Sequence, residues 1–441
     1  NSDGTKVIVG AFEEDIDSAV EVGAAYIFTY SNGSWDTGTK IVASDKNAVD
    51  RFGYSVAMSG DGNRVIVGAY LEDEDENGQN TLSTAGSAYI FTYSNGSWDT
   101  GTKIVASNRS AGAIFGRSVA INNDGTMVIV GASAGDSSTG TTTATGSAYI
   151  FTYSNGSWSE TKLLEASDGA TSDYFGFDVA ISSDGTKVIV GAYDHHTGGL
   201  ADAGAAYIFT YSNGSWDTGT KIVAPDKEAG DEFGVSVGMN PDGTKVVVGA
   251  WNDDPGGVTG AGAAYIYNYD GSSWDTGIKI VAAPGGGGSD LFGRSVAINS
   301  DGSKVIVGAY SADVAGTDSG AAYIFTRDTT HHLTTDLKLQ SNTWHNLTYA
   351  YQGEGGSRVT YLDGRKVAED QAEDTFGEYP PIEIDTFSLG GYVVDASYWN
   401  SGGSAPYYRF AYNLFHSLSN EGRLGGFYTD SNGNYVPDPS D

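Results

Sequence analysis

The sequence predicts an all-β protein: a ring of four-stranded antiparallel sheets, followed by a shorter β-sandwich-like segment. Three observations predict it. One block recurs six times along residues 1–326. Each full block divides into four short runs rich in Val, Ile, Tyr and Phe, separated by turn dipeptides. No stretch carries the 3.6-residue period of an amphipathic helix.

The recurrence is literal. Ala24–Ala43 reads AAYIFTYSNGSWDTGTKIVA, recurs letter for letter at Ala205–Ala224, and recurs with one change at Ser87–Ala106. Related copies start at Ser147 and Ala263, and a shortened one at Ala321. A second marker, Val-Gly-Ala, places its glycine at Gly10, Gly68, Gly131, Gly191, Gly249 and Gly308, with spacings of 58, 63, 60, 58 and 59. A third, Phe-Gly, starts at Phe52, Phe115, Phe175, Phe233 and Phe292.

The unit from Phe175 shows the pattern. FGFDVAIS is a first strand, and Asp184-Gly185 turns the chain. TKVIVGA is a second strand of β-branched residues. A variable loop leads to a third, AAYIFTY. Asn213-Gly214 then marks a tight hairpin into SWDTGTKIVA. One such sheet cannot bury both faces. Sheets stacked radially bury each other, which is the logic of a β-propeller. Trp35, Trp98, Trp158, Trp216 and Trp274 should then hold equivalent positions in successive sheets.

The order Phe-Gly, Val-Gly-Ala, Gly-Ala-Ala-Tyr resembles the FG-GAP repeats of integrin α-subunit heads and of many bacterial, algal and viral surface proteins. The resemblance covers residues 1–326 and implies propeller blades, usually seven to a ring. Six Val-Gly-Ala strands are present; the first copy lacks its Phe-Gly strand and the sixth its Trp strand. Either six blades form the ring and its two ends complete one another, or a seventh lies upstream of Asn1. Integrin-type blades often carry calcium in the loop between strands 1 and 2. Here Asp61, Asp124, Asp184, Asp242 and Asp301 precede Gly, but Ser, Gly, Asn or Pro stand before them. A hard cation needs about six oxygens, so these turns read as plain hairpins.

After a joint at 327–340, residues 341–429 resemble a laminin-G or concanavalin-like sandwich through Trp344, His345, Tyr361, Asp363, Gly364 and the FSLGGY run ending at Tyr392. The early strands of such a sandwich are missing from this stretch. Residues 430–441 form an acidic tail.

Composition narrows the function. The 441 residues carry 56 Asp plus Glu against 23 Lys plus Arg, a formal charge of −33, with 63 Gly, 28 Tyr and no Cys. A polyanionic partner would be repelled, which argues against nucleic acid. Disulfides, thiol catalysis and thiolate metal sites are excluded. No apolar run is long enough for a membrane span. Starting at Asn1 without Met or a signal pattern, the chain reads as a mature product or fragment. The acidic surface favours cations, calcium among them.

The loops between strands 2 and 3 vary most, with glycine-to-glycine lengths of 13, 18, 15, 13, 13 and 12. Variable loops on a rigid scaffold carry binding. The candidate binding rim is therefore Glu13, Glu14, Asp15, Asp17, Glu72, Asp73, Glu74, Asp75, Glu76, Asp253 and Asp254. Two stretches have the alternating oxygens of a calcium loop: Asp73, Asp75 and Asn77, and Asp430, Asn432, Asn434 and Asp438. The second resembles a thrombospondin type 3 calcium repeat. Glycosylation sequons stand at Asn32, Asn95, Asn108, Asn155, Asn213 and Asn346. His195, His196, His331, His332, His345 and His416 form no obvious chelate and read as loop residues. No nucleophile elbow, phosphate loop or zinc spacing occurs.

The reading is an extracellular, non-enzymatic structural or adhesive protein on a cell surface, an appendage or a virus particle. It would contact other surface proteins or copies of itself. A lectin-like module that binds glycans is the alternative; a propeller-based hydrolase ranks third.

Overall fold

The computed structural model describes residues 1–326 apart from 136–143, 283–287 and 314–317. Beyond 326 it describes seven strand segments between 347 and 437. The short-range turns form as their residues dictate. At the hairpin tips Asn32, Asn95, Asn155 and Asn213 have φ near +50° and the following glycines φ of 84–87°. Two consecutive positive φ values make the tight turn that suits twisted antiparallel strands. Each tip sets a Tyr opposite a Trp. Their rings lie 5.3 Å apart for Tyr30–Trp35, Tyr93–Trp98, Tyr153–Trp158 and Tyr269–Trp274, and 5.4 Å for Tyr211–Trp216. The five tryptophans thus occupy equivalent places in five sheets.

Six antiparallel sheets form a six-bladed β-propeller. The second strand of each is Lys6–Ala11, Arg64–Ala69, Met127–Ala132, Lys187–Ala192, Lys245–Ala250 or Lys304–Ala309. It pairs with the third in one register throughout, with Ile8 opposite Ile27 and Ile66 opposite Ile90. Two elements differ from the simple four-strand reading. The fourth strand is broken in blades 1, 2, 4 and 5, for example into Ser97–Trp98 and Thr102–Ile104 in blade 2 and into the Tyr269–Trp274 bridge and Ile278–Ile280 in blade 5. Asp99 causes the break: its Oδ1 accepts hydrogen bonds from the Thr92 and Gly101 amides, forming a bulge. Blade 3 has Ser159-Glu160 there and no such glycine, and its fourth strand runs unbroken over Ser157–Leu164. The second difference is that Phe-Gly also bonds to the preceding blade. Phe115, Phe175, Phe233 and Phe292 bridge in parallel to Gly86, Gly146, Gly204 and Gly262.

This docking organises the core. Phe52, Phe115, Phe175, Phe233 and Phe292 are all fully buried. Around Phe115, Ile66, Ala88 and Ile90 of blade 2 face Val128, Val130, Tyr149 and Phe151 of blade 3. Phe115 meets Tyr149 and Phe151 edge-on at 5.4 and 6.0 Å, a favoured arrangement for ring quadrupoles. The same cluster recurs between each successive pair of blades. The backbones approach so closely that a Cβ on Gly131 would lie 2.0 Å from the Gly176 carbonyl oxygen.

Among the described residues, this interface is not made between blades 6 and 1. Val7 and Val9 of blade 1 are 41% and 51% exposed, and Ile306 and Ile324 of blade 6 are 42% and 60% exposed. Their counterparts Val65, Val67, Ile66 and Ile90 are buried.

Beyond the ring, Leu347–Tyr351, Ser357–Leu362 and Arg365–Gln371 form a three-stranded antiparallel meander. Tyr361 lies in its middle strand, opposite Thr348. Ser388–Leu389 pairs with Tyr392–Val393, and Phe427–Thr429 with Tyr435–Pro437. Trp344, His345, Asp363 and Gly364 lie outside the described residues.

If Phe-Gly clamps the blades, Phe175→Ala should cost about 3–5 kcal/mol, the usual range for deleting a buried ring. Denaturant unfolding checks this; a loss under about 1 kcal/mol would contradict it.

Candidate interaction face

The two rims of the ring are built differently. On one, the turns between strands 1 and 2 bond to each other blade by blade. Ser2 donates to the Gly60 carbonyl, Gly60 to Asn123, Asn123 to Ser183 and Ser183 to Pro241, at 2.8–3.1 Å. The Asp-Gly carboxylates in these turns hold their own loops. Asp124 Oδ1 accepts from the Thr126 amide and hydroxyl at 2.9 and 2.6 Å. Asp184 and Asp242 do the same with Thr186 and Thr244. Burial raises these carboxyls, and the hydrogen bonds outweigh it and hold them below their usual range.

The opposite rim carries the loops between strands 2 and 3. Just inside it runs a collar of aromatic and arginine side chains. The residues come from two repeat positions: the one after Val-Gly-Ala and the one after Phe-Gly. Phe12 meets Tyr54 at 5.2 Å, and Tyr54 meets Tyr70 at 4.4 Å. The Arg117 guanidinium lies 5.5 Å from the Tyr54 ring and 4.0 Å from that of Phe177. Phe177 meets Tyr193 at 4.4 Å. A second arc joins Arg294, 5.0 Å over Trp251, to Tyr310. Trp251 Nε1 donates to Glu232. Most of these groups are half-buried, and Tyr310 is exposed. The rings are thus fixed by packing yet open on one side, and the guanidinium–ring contacts add cation–π attraction.

The acidic rim residues divide into two sets. Glu14, Glu72 and Asp253 turn inward. Lys103 Nζ lies 2.7 Å from Glu72 and 2.8 Å from Asp45, the next loop's acid. Tyr89 donates to Asp45, and Ser87 to Glu72. Lys279 repeats this with Asp226 and Asp253, both at 2.8 Å. Lys40 pairs with Glu14 at 2.6 Å. In blade 4 His195 takes the acid's place. It is buried beside Lys221, Asp168 and Asp173, so it belongs to the network and is no free loop histidine. In blade 3 Leu163 replaces the lysine, Gly135 the rim acid and Asn108 the loop acid. The charges disappear together, as they must if a buried lone charge is costly. Burial pushes Glu72 up, against Lys103 and Ser87, which hold it down.

Glu13, Asp15, Asp17, Glu76 and Asp254 remain exposed, and Asp73 and Glu74 are half-buried. Asp15 and Asp254 each accept a loop amide, from Glu21 and Gly260. In the calcium-like stretch, Asp75 accepts from the Asn77 and Gln79 amides and the Asn80 side chain, and Asp73 from the Thr84 amide. These carboxylates shape the loop. Among the described residues, no three His, Asp or Glu side chains gather as a metal set. Asp430, Asn432, Asn434 and Asp438 lie outside the described residues, as does Asn346. Asn32, Asn95, Asn155 and Asn213 sit at exposed hairpin tips. Asn108 is exposed and accepts from the Tyr149 hydroxyl at 2.7 Å.

The acidity of the sequence points to the loop centres and away from the collar. Its signal was there: the residue after Val-Gly-Ala is Phe12, Tyr70, Ser133, Tyr193, Trp251 or Tyr310, aromatic in five of six.

Buried carboxyls set the pH response. Burial pushes Asp50 and Asp194 up to about 7 and Asp231 up to about 6. A raised carboxyl binds its proton more tightly in the folded chain than in the unfolded one. Its contribution is greatest below the unfolded value and is lost as pH rises through the folded one. The melting temperature should therefore climb as pH falls from about 8 to about 5, and Asp50→Asn should flatten that slope. Calorimetry at several pH values checks it; a melting temperature that climbs with pH instead would contradict it. Asp168 acts in the opposite sense. Burial raises it, but Tyr207 and Lys221 outweigh this and hold it near about 2, so its contribution fades only in stronger acid.

Five consecutive stretches of the chain match the FG-GAP repeat: residues 35–91, 98–151, 158–209, 216–267 and 274–325. Each runs from the Trp of one blade through the Phe-Gly junction to the third strand of the next. No curated protein matches the chain. Among the described residues no helix is long and apolar enough to cross a membrane. With matches over more than half its length, the chain belongs to the FG-GAP repeat family, whose propellers serve as protein-interaction modules.

Proposed function

We propose that this chain is an extracellular, non-enzymatic surface protein that docks other proteins or copies of itself through the rim bearing the collar. One observation carries the reading. Half-exposed rings and guanidinium groups, held rigidly by packing, are concentrated on the rim whose loops vary from blade to blade. Aromatic side chains and Arg are the groups that supply most binding energy in protein interfaces. FG-GAP repeats are typical of extracellular proteins, which fits the cysteine-free, acidic ring. At a charge of −33, contact between copies needs bridging cations or a neutral, apolar patch. The collar's rings supply the apolar contact and its guanidinium groups offset the negative charge, and calcium is the cation the exposed acids would take. Hairpin-tip glycans on Asn32, Asn95, Asn155 and Asn213 would leave the collar rim clear.

The collar also favours a second reading, a glycan-binding face, because aromatic rings stack on sugar rings. A polar, fixed site of that kind would take one saccharide class. A hydrolase has less support: the network carboxylates near the rim are engaged by lysines.

Sizing of the native protein at several salt concentrations, with and without chelator, separates these readings. The docking reading expects association that responds to ionic strength and weakens at least tenfold in Arg117→Ala with Trp251→Ala, a change of about 1.4 kcal/mol. A strict monomer under all conditions that binds one glycan tightly on an array would overturn it in favour of the lectin.

A further inference from the structure

Three arginines of the ring have their guanidinium groups bonded within the chain. Arg51 donates to Glu21, Arg64 to the Gly125 carbonyl, and Arg109 to the Asp73 and Asn80 carbonyls. Arg117 of the collar is different. Its guanidinium lies 4.0 Å over the Phe177 ring and 5.5 Å from that of Tyr54. Among the described residues no carboxylate or carbonyl accepts a hydrogen bond from it. A guanidinium that stacks on rings through its faces keeps its N–H donors in the plane, pointing outward from the edges. Arg294, the collar's other such group, has acids within range. Burial raises the Glu232 and Asp178 carboxyls, and the Arg294 charge is among the influences that hold them down.

The same blade interrupts the collar. After Val-Gly-Ala the other blades carry Phe12, Tyr70, Tyr193, Trp251 and Tyr310, and blade 3 carries Ser133. In blades 2 and 4 that ring lies 4.4 Å from the ring that follows Phe-Gly, Tyr70 from Tyr54 and Tyr193 from Phe177. The corresponding pair in blade 3 is Ser133 and Arg117. Where its neighbours stack two rings, blade 3 thus places a hydroxyl and a guanidinium. Ser133 is buried, and its hydroxyl has no hydrogen-bond partner among the described residues. Buried polar groups ordinarily have one. The backbone aims Arg117 into this position. The register slips between Phe115 and Val119, and Gly116 has φ of +91°, a bulge of the kind that redirects a side chain.

A partner that covers the collar removes water from Arg117. A guanidinium buried without an opposite charge is costly enough to offset much of what the rings contribute. The partner therefore has to bring an anion of its own. The donors present say which one. A guanidinium edge and a hydroxyl serve two acceptor oxygens on one planar group, as a carboxylate presents them. A sulfate would keep a third oxygen without a donor. The Tyr54 and Phe177 rings, from the two adjacent blades, offer apolar surface to the methylenes of such a side chain.

We propose that the gap in the collar at blade 3 is a seat for the carboxylate of an Asp or Glu side chain on a partner protein. Arg117 donates to the carboxylate from its in-plane edge, and Ser133 supplies a hydroxyl donor. Tyr54 and Phe177 hold the guanidinium in place. The proposal rests on the reading of the collar rim as a docking face, and it names the group a partner presents there. Among the described residues, only blade 3 combines the two departures, Ser133 and Arg117. The seat therefore gives a partner one angular position on a ring of otherwise similar blades.

The full chain, isotopically labelled at arginine nitrogen, tests the seat without any partner. Nα-acetyl-glutamate methylamide is titrated in parallel with its glutamine analogue, and the Arg Nε–H signals are followed by NMR. The Arg117 signal is assigned by its loss in Arg117→Lys. The glutamate probe should move that signal saturably at millimolar concentration, and the glutamine probe should leave it nearly still. Equal effects of the two probes, or a shift no larger than that of Arg64, would overturn the proposal. A tighter response to methyl sulfate than to the glutamate probe would overturn it in favour of a sulfated glycan. Ser133→Tyr fills the gap with the kind of ring the other blades carry, and it should weaken the probe at least tenfold. A Ser133→Tyr protein that binds the probe as tightly as the parent would contradict the seat. The outcome is separable from the sizing experiment. A strict monomer whose Arg117 answers the glutamate probe keeps the seat and loses self-association, whereas association with a silent Arg117 keeps docking and loses the seat.

Discussion

The ring depends on how closely two backbones can meet. At each junction a Val-Gly-Ala glycine lies against a Phe-Gly glycine, with room for no Cβ between them. That approach seats the adjacent Phe in the space between the sheets, where it touches residues from both blades. Packing at this density tolerates little change in volume, which is why the strands that form the junction hardly vary while the loops do. The high glycine content follows from the same constraint, repeated at every junction and hairpin.

Charge is arranged around that apolar frame. Lys103 and Lys279 of the fourth strands each reach between two blades to two acids on neighbouring loops, and where the lysine becomes Leu163 both acids are gone. Much of the rim's acidity is therefore internal to the structure. What remains for a partner is the exposed carboxylates, Glu13, Asp15, Asp17, Glu76 and Asp254, and the collar they surround. His195 shows that the network accepts a different group when the geometry is kept.

The sequence made the ring legible because turn chemistry and period-two strands leave little choice. Asn213-Gly214 can only be a tight hairpin, and the Trp216 strand must follow it. The break in the fourth strand was hidden, because it arises from Asp99 accepting two backbone amides and not from any apolar pattern. The site was harder. Glu72 and Glu76 look alike in sequence, yet one is buried on Lys103 and the other is exposed. Only the inward or outward turn of a loop separates them. The collar was legible in principle, since the position after Val-Gly-Ala is aromatic in five blades. Recognising it required knowing that those positions converge inside one rim.

The central claim is that stability passes from blade to blade through the Phe-Gly junction. In such an array a unit with two junctions should hold better than a unit with one. Native-state hydrogen exchange measures this directly. The amides of Arg64–Ala69, Met127–Ala132, Lys187–Ala192 and Lys245–Ala250, each clamped on both sides, should exchange slowest. Those of Lys6–Ala11, with Val7 and Val9 exposed, should exchange much faster. Equal protection of Lys6–Ala11 and Lys187–Ala192 would contradict the account.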